Sequence, residues 1–173
     1  MRYGLMSNIR RSWSKRGKRT VYQNQQEFAN RYLYSAIDPI TGDSFHLAGL
    51  DDTATIVTNV FLSELQCAFP NEHLVVVWDN APFHKSKLLH RANMTIISLP
   101  SYSPQLNPVG RFFGEMRKFT ANRIFKDGIV QLEKIVDNAV VTLQNNKNGL
   151  RKLAGYGWIK EQWNRAGEFY ETV

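Results

Sequence analysis

Two short apolar runs near the middle of the chain set the strongest limit on how it can fold. Leu74-Val75-Val76-Val77-Trp78 is continuous, of strand length and rich in β-branched residues. Residues 94–99, Met-Thr-Ile-Ile-Ser-Leu, repeat the character. Such runs suit strands buried on both faces. The stretch between them has room for a short helix, expected from about residue 84 to residue 91. The first run ends on Asp79-Asn80, and the second ends at a Pro-rich loop, Pro100-Ser101-Tyr102-Ser103-Pro104.

The flanking segments complete a pattern. Residues 32–37 and 44–50 are hydrophobic runs joined by Asp38-Pro39-Ile40-Thr41-Gly42-Asp43, a Pro/Gly turn. Residues 2–6 form a short mixed strand, and residues 12–13 and 20–23 are expected as strands beside the turn Ser14-Lys15-Arg16-Gly17-Lys18. Asp51-Asp52-Thr53 is a cap-like cluster before Ile56, Val57, Val60, Phe61, Leu65 and Phe69, which recur at helical spacing until Pro70. Asn107-Pro108 predicts an N-cap followed by proline at the first helical position. Val109, Phe112, Phe113, Met116 and Phe119 then share one face, and residues 131–145 repeat the pattern. Residues 149–173 are expected to be a C-terminal packing segment or tail, with Trp158 and Trp163 against the body. The order predicts one α/β domain over residues 1–173: a mixed sheet, antiparallel meander then parallel strands, flanked by helices. Chemistry in such sheets collects beyond the carboxyl ends of parallel strands, where Asp79 falls.

Charge adds a second constraint. The chain of 173 residues carries 22 basic and 15 acidic side chains, a net charge of +7. Seven basic residues and no acid lie within positions 1–20, so the remaining basic and acidic groups balance. Arg10, Arg11, Lys15, Arg16, Lys18 and Arg19 surround Trp13 on the expected hairpin. Cations around an aromatic can follow phosphates and stack on a base, so DNA is the expected partner; a solvated surface turn is the alternative. An Arg/Ser-rich organellar transit peptide fits this run less well than a hairpin does, given Trp13 and Gly17. A single cysteine, Cys67, leaves no basis for an intrachain disulfide framework or a multi-cysteine zinc site, and a reducing compartment is the default. No run approaches the ~18 apolar residues of a membrane span, so no membrane partner is expected.

Asp79, at the tip of an apolar strand, suits a hard divalent cation such as Mg²⁺, and equally suits a turn cap. Asn80 and His84 are auxiliary candidates: His84 could touch a phosphate or orient Asp79, or simply open a helix.

Several segments together resemble the catalytic domain of bacterial insertion-sequence DDE transposases of the mariner-like superfamily. VVWDNAPFHKS, residues 76–86, is similar to that family's second catalytic aspartate with its following Asn and His. LPSYSPQLNPVGRFF resembles the signature Leu-Pro-x-Tyr-Ser-Pro-x-Leu-Asn-Pro-Ile-Glu-x-x-Trp. RYGLMSNIRRSWSKRGKR resembles the start of the domain, and AIDPITGDSF its third-strand hairpin. The resemblance implies an RNase H-like fold and a site in which three acids hold two Mg²⁺ or Mn²⁺ ions for phosphodiester displacement in DNA transposition.

This chain departs from that pattern. Asp79 maps onto the second acid and is the implied catalytic and metal-binding residue. The third acid's position is Gly110, and the first would precede the residues matching Met1-Arg2-Tyr3-Gly4-Leu5. The interval from Asp79 to Gly110 is also shorter than usual, and the family's N-terminal helix-turn-helix would lie outside these residues. Glu115 is the nearest substitute for Gly110. Five helical residues place it about 140° around and about 7.5 Å along, facing away. Asp51 and Asp52 are further surrogates, though a helix cap accounts for them. The expectation is therefore a catalytic domain that cleaves no DNA as this polypeptide, holds Mg²⁺ or Mn²⁺ weakly and keeps nonspecific DNA affinity. A DNA-binding or dimerising remnant, pairing with itself or with an intact transposase, is one alternative; a nuclease with rearranged acids is another. The family points to the bacterial cytoplasm.

Overall fold

The computed structural model describes residues 1–79 and 91–171, with backbone alone for residues 166–171. Three strands form an antiparallel sheet in the order β1 (Arg2–Gly4), β2 (Asn30–Ile37), β3 (Ser44–Leu50). The β2–β3 turn follows from its residues. Asp38 Oδ1 accepts the N–H groups of Ile40 at 2.7 Å and Thr41 at 3.2 Å, which bends the backbone locally. Gly42 has φ of 80°, and a Cβ there would lie 2.4 Å from the Lys147 carbonyl oxygen. Only glycine meets both conditions.

Helix α1 (Thr55–Ala68) follows as its apolar spacing predicts, burying Phe61, Leu62 and Leu65. The expected cap does not form. The N-cap position is Ala54, with no side-chain cap; Asp52 instead accepts the Thr53 N–H at 2.6 Å, and Asp51 pairs with Arg31 at 2.9 Å. Two carboxylates with nearer partners leave the helix start uncapped.

Strands β4 (Leu74–Trp78) and β5 (Met94–Ser98) pair in parallel, from Leu74 opposite Met94 to Trp78 opposite Ser98. Here one expectation is corrected: the strands are buried on one face only. Leu74, Val76, Trp78, Met94 and Ile96 pack with α1, whereas Val75, Val77 and Ile97 are 60, 50 and 48% exposed. An unbroken apolar run reports composition, not how many of its faces a helix covers. The short helix expected over about residues 84–91 falls almost wholly outside the described residues.

Two cores result. The underside of β2 and β3 (Tyr34, Ala36, Phe45, Leu47) joins α1, β4 and β5 in one. The other joins Tyr3, Leu5 and Leu33 to α2 (Val109–Thr120), α3 (Gly128–Gln144) and α4 (Lys147–Ala154). Phe112 and Met116 are completely buried, as the α2 periodicity requires. Among the described residues the two sheets share no backbone ladder. In the last helix, α5 (Gly157–Glu171), the tryptophans do not anchor the segment: Trp158 and Trp163 are 48 and 64% exposed. Leu150 and Ala154 of α4 carry the packing. No described helix is long and apolar enough to cross a membrane.

Candidate functional site

Asp79 follows β4 directly and is exposed. Its strand is fixed by the β5 ladder, which ends with the Leu99 N–H donating to the Trp78 carbonyl at 2.8 Å. Asp79 lies within electrostatic reach of the opening of β1. There the Met1 amine donates to the Leu33 carbonyl while the Leu33 N–H donates back to Met1 at 2.8 Å. Burial, aided by the Arg117 cation and opposed by Asp79, lowers the Met1 ammonium from 8.0 to about 6. The Tyr34 phenol is raised, chiefly by burial and further by Asp52 and Asp79, so both carboxylates lie within electrostatic reach of it. Tyr34 shares a 3.2 Å hydrogen bond with Thr58.

Gly110 occupies the first turn of α2. Asn107 caps that turn in the expected manner, its Oδ1 accepting the Val109 N–H at 3.1 Å, although the helix begins one residue later than predicted. A Cβ on Gly110 would meet nothing within 4 Å. The possible replacement acids are engaged elsewhere. Glu115 binds Lys118 at 2.6 Å, Asp51 binds Arg31, and Asp52 holds the Thr53 N–H. Among the described residues no three His, Cys, Asp or Glu side chains gather as a metal-binding group. The donor set described here therefore does not fit a two-metal centre. Asn80 and His84 lie outside the described residues.

A histidine that sequence reasoning passed over sits between β3 and α2. His46 stacks on Phe112 with centroids 4.6 Å apart and planes 15° from parallel, and its Nδ1 is 2.9 Å from Ser35 Oγ. Its Nε2 is buried without a hydrogen-bond partner. Burial lowers its pKa from 6.5 to about 4, so it is neutral at physiological pH.

The cationic segment is an arm rather than a ladder. The strands expected at residues 12–13 and 20–23 are absent. Residues 11–21 are all exposed, so no buried face exists to stabilise a two-stranded ribbon. Local bonds shape the tip instead. The Lys18 N–H donates to Lys15 at 2.9 Å, Ser14 Oγ donates to the Lys18 carbonyl at 2.8 Å, the Tyr22 hydroxyl donates to Ser12, and Gly17 takes φ of 81°. Trp13 is fully exposed, and Arg11, Lys15, Arg16, Lys18 and Arg19 on the same arm are exposed too, with Arg10 half-buried at the base.

The base of the arm is clamped by residues the sequence did not advertise. Buried Gln25 makes two bonds to one residue, accepting the Phe125 N–H at 2.9 Å and donating to its carbonyl at 3.2 Å. Asn122, at φ of 57°, accepts the Arg10 N–H at 2.8 Å and donates its own N–H to Asn8 at 3.0 Å. Polar residues in loops carry no periodic signal, so neither could be picked out beforehand.

A cleft of about 510 Å³ opens at the N-terminal end of α2, lined by Gln105, Arg111, Gly155, Tyr156, Gly157 and Trp158. The Arg111 guanidinium lies 4.0 Å from the Tyr156 ring centroid.

Comparison with known proteins gives this geometry a context. The family model described as DDE superfamily endonuclease matches residues 2–130. The uncharacterized protein y4pE/y4sA of Sinorhizobium fredii is 34% identical over 99 residues, covering 56% of this chain and 73% of that protein. The crystal structure of the Mos1 strand transfer complex overlays with a TM-score of 0.61 at 16% identity, covering 91% of this chain and 53% of that one. The Mos1 mariner paired-end complex with Mn overlays with a TM-score of 0.57 at 15% identity, covering 90% and 54%. The chain thus spans about half the length of those structures, and the likeness shows the expected RNase H-like fold.

Proposed function

We propose a function from one premise: the chain belongs to the DDE superfamily endonucleases, with the fold of a DDE transposase catalytic domain. In our reading, residues 1–173 act as a DNA-holding domain of transposase type that does not cut DNA as this polypeptide. Gly110 carries the reading. The first turn of α2 is open around it, with nothing within 4 Å of a Cβ, so no packing demand accounts for glycine where the family places an acid. The lack also removes a carboxylate that the helix N-terminus would favour.

Asp79 remains the one residue assigned to the catalytic centre. A lone carboxylate holds Mg²⁺ or Mn²⁺ weakly, because such ions need several oxygen ligands. DNA affinity is assigned to Arg10, Arg11, Trp13, Lys15, Arg16, Lys18 and Arg19. The Mos1 neighbours, described as strand transfer and paired-end complexes, support DNA as the partner. A second transposase protomer, a copy of this chain or an intact enzyme, is the other partner in this reading, and the bacterial cytoplasm is its compartment.

Nicking of supercoiled plasmid in Mg²⁺ or Mn²⁺ tests the catalytic half: no cleavage is expected. Robust cleavage abolished by Asp79→Ala would overturn it and favour rearranged acids. Duplex binding across a salt series tests the other half. Charge reversal at Arg10, Arg11, Lys15 and Arg16 should weaken affinity and flatten the log–log salt slope by up to about 4. An unchanged slope removes the arm from the interface.

A further inference from the structure

The cleft at the N-terminal end of α2 is not used by the reading above, and it combines three features that point to one kind of ligand. First, it carries open aromatic surface. Trp158 is 48% exposed and sits beside Tyr156, ring centroids 6.1 Å apart and tilted by 47°. Gly155 makes this corner possible: a Cβ there would lie 2.4 Å from the Arg151 carbonyl oxygen and 2.8 Å from that of Pro39. The chain turns tightly from α4 into α5, and both rings end up lining the cleft.

Second, the segment that supplies one wall of the cleft is cationic in a way the whole-chain sum conceals. Residues 147–160 contain Lys147, Arg151, Lys152 and Lys160 and no acid. Lys147 is committed to Asp43, whose carboxyl it holds below the usual range. Arg111 adds a cation inside the cleft. Its guanidinium lies 4.0 Å from the Tyr156 ring centroid and donates to the Leu153 carbonyl at 3.4 Å, and no carboxylate pairs with it among the described residues. Third, Arg111 adjoins Gly110 and Gln105 belongs to the loop before α2, so the cleft starts on the helical turn where the family's third acid would stand.

We propose that this cleft is a stacking site for an unpaired nucleobase at a DNA end or overhang. Trp158 offers the π surface, Arg111 meets the adjoining phosphate, and the Gln105 amide reaches a base edge. A paired base keeps its faces against its neighbours, so only an unpaired or terminal one can use an exposed indole. Guanidinium over aromatic is the arrangement that single-strand sites use beside stacked bases. The proposal rests on DNA being this chain's ligand and adds that its frayed or processed end has its own seat.

The experiment compares a blunt duplex with the same duplex bearing a short overhang that contains 2-aminopurine, both fluorescein-labelled, by anisotropy and base fluorescence. The wild-type chain is expected to bind the overhang about tenfold more tightly, the scale of one base–aromatic stack, and to quench the 2-aminopurine. Trp158→Ala should reduce overhang binding to the blunt level and leave blunt binding unchanged, and Trp158→Phe should restore most of the preference. Arg111→Gln is the second variant if Trp158→Ala lowers the melting temperature, and it should also erase the preference. Equal binding of the two DNAs by the wild type, or a preference that survives Trp158→Ala, overturns the proposal. Loss of blunt-duplex binding is instead the failure of the underlying DNA reading. In that case a free single-stranded decamer decides: quenching that depends on Trp158 keeps the site, and its absence removes it.

Discussion

His46 makes the stability of this protein depend on pH in a window of its own. Its ring is stacked on completely buried Phe112, its Nδ1 is taken by Ser35, and its Nε2 reaches no acceptor. A second proton on this ring would be buried unpaired. The folded value of about 4 therefore lies below the unfolded value of 6.5. Between these limits the unfolded chain binds more protons, so stability rises with pH from about 4 to 6.5 and falls on acidification through that range. The gap corresponds to about 3 kcal/mol at full titration. Solvent at the half-buried ring and attraction of an imidazolium to Phe112 reduce this to about 2 kcal/mol. Urea midpoints at fixed ionic strength from pH 4 to 7 measure it. His46→Asn keeps a partner for Ser35 and cannot titrate, so its profile should lack the His46 rise between pH 4 and 6.5 and keep only the slope that other groups give. If the wild type and His46→Asn lose stability in parallel, the titration does not belong to His46 and the explanation from burial is wrong.

Three further outcomes are expected. Gly110→Glu should fold and gain about 1 kcal/mol, because the site is open, glycine is costly inside a helix and an acid suits the first turn; a lowered melting temperature would contradict the open space. Gln25→Ala strips both bonds from the Phe125 backbone and should cost about 1–3 kcal/mol, with faster hydrogen exchange at the Phe125 amide; unchanged exchange would remove Gln25 as the clamp. The Met1 amine, lowered by burial from 8.0 to about 6, should make stability rise from pH 6 to 8, and Nα-acetylation should abolish that rise while leaving the His46 window intact.

What could be read in the sequence was local. Asp38, Pro39 and Gly42 announce a turn because each has its own backbone reason to be there. The face Val109, Phe112, Met116 announces a buried helix because period and burial coincide. The basic arm was visible as charge, but its conformation was not. Strand preference at residues 12–13 and 20–23 has no effect without a face to bury, and the clamp depends on Gln25 meeting Phe125, 100 residues away. The aromatic cleft escaped for a different reason. A neutral sum over residues 21–173 hides four cations without an acid in residues 147–160, and Trp158 was read as an anchor rather than as exposed surface. At the candidate site Asp79 and Gly110 were legible, whereas Asp51 depends on Arg31, a neighbour only in the folded chain, Glu115 on Lys118 along one helix face, and Asp52 on a local backbone bend that turns the next N–H toward it.

The division of the sheet has a consequence for how the site comes together. Asp79 follows β4, a strand of the α1–β4–β5 core, whereas Gly110 and Arg111 lie on α2, a helix of the other core. No described backbone ladder bridges β1 and β4, and cohesion between the halves passes through side chains of β2 and β3 against α1. Two such units are expected to open separately, and amide exchange would then register two protection classes. The halves of the candidate centre then meet only in the fraction of molecules in which both units are closed, and any ligand touching both is linked to that closure: DNA that spans Asp79 and the α2 side would act as a folding cofactor for its own binding surface.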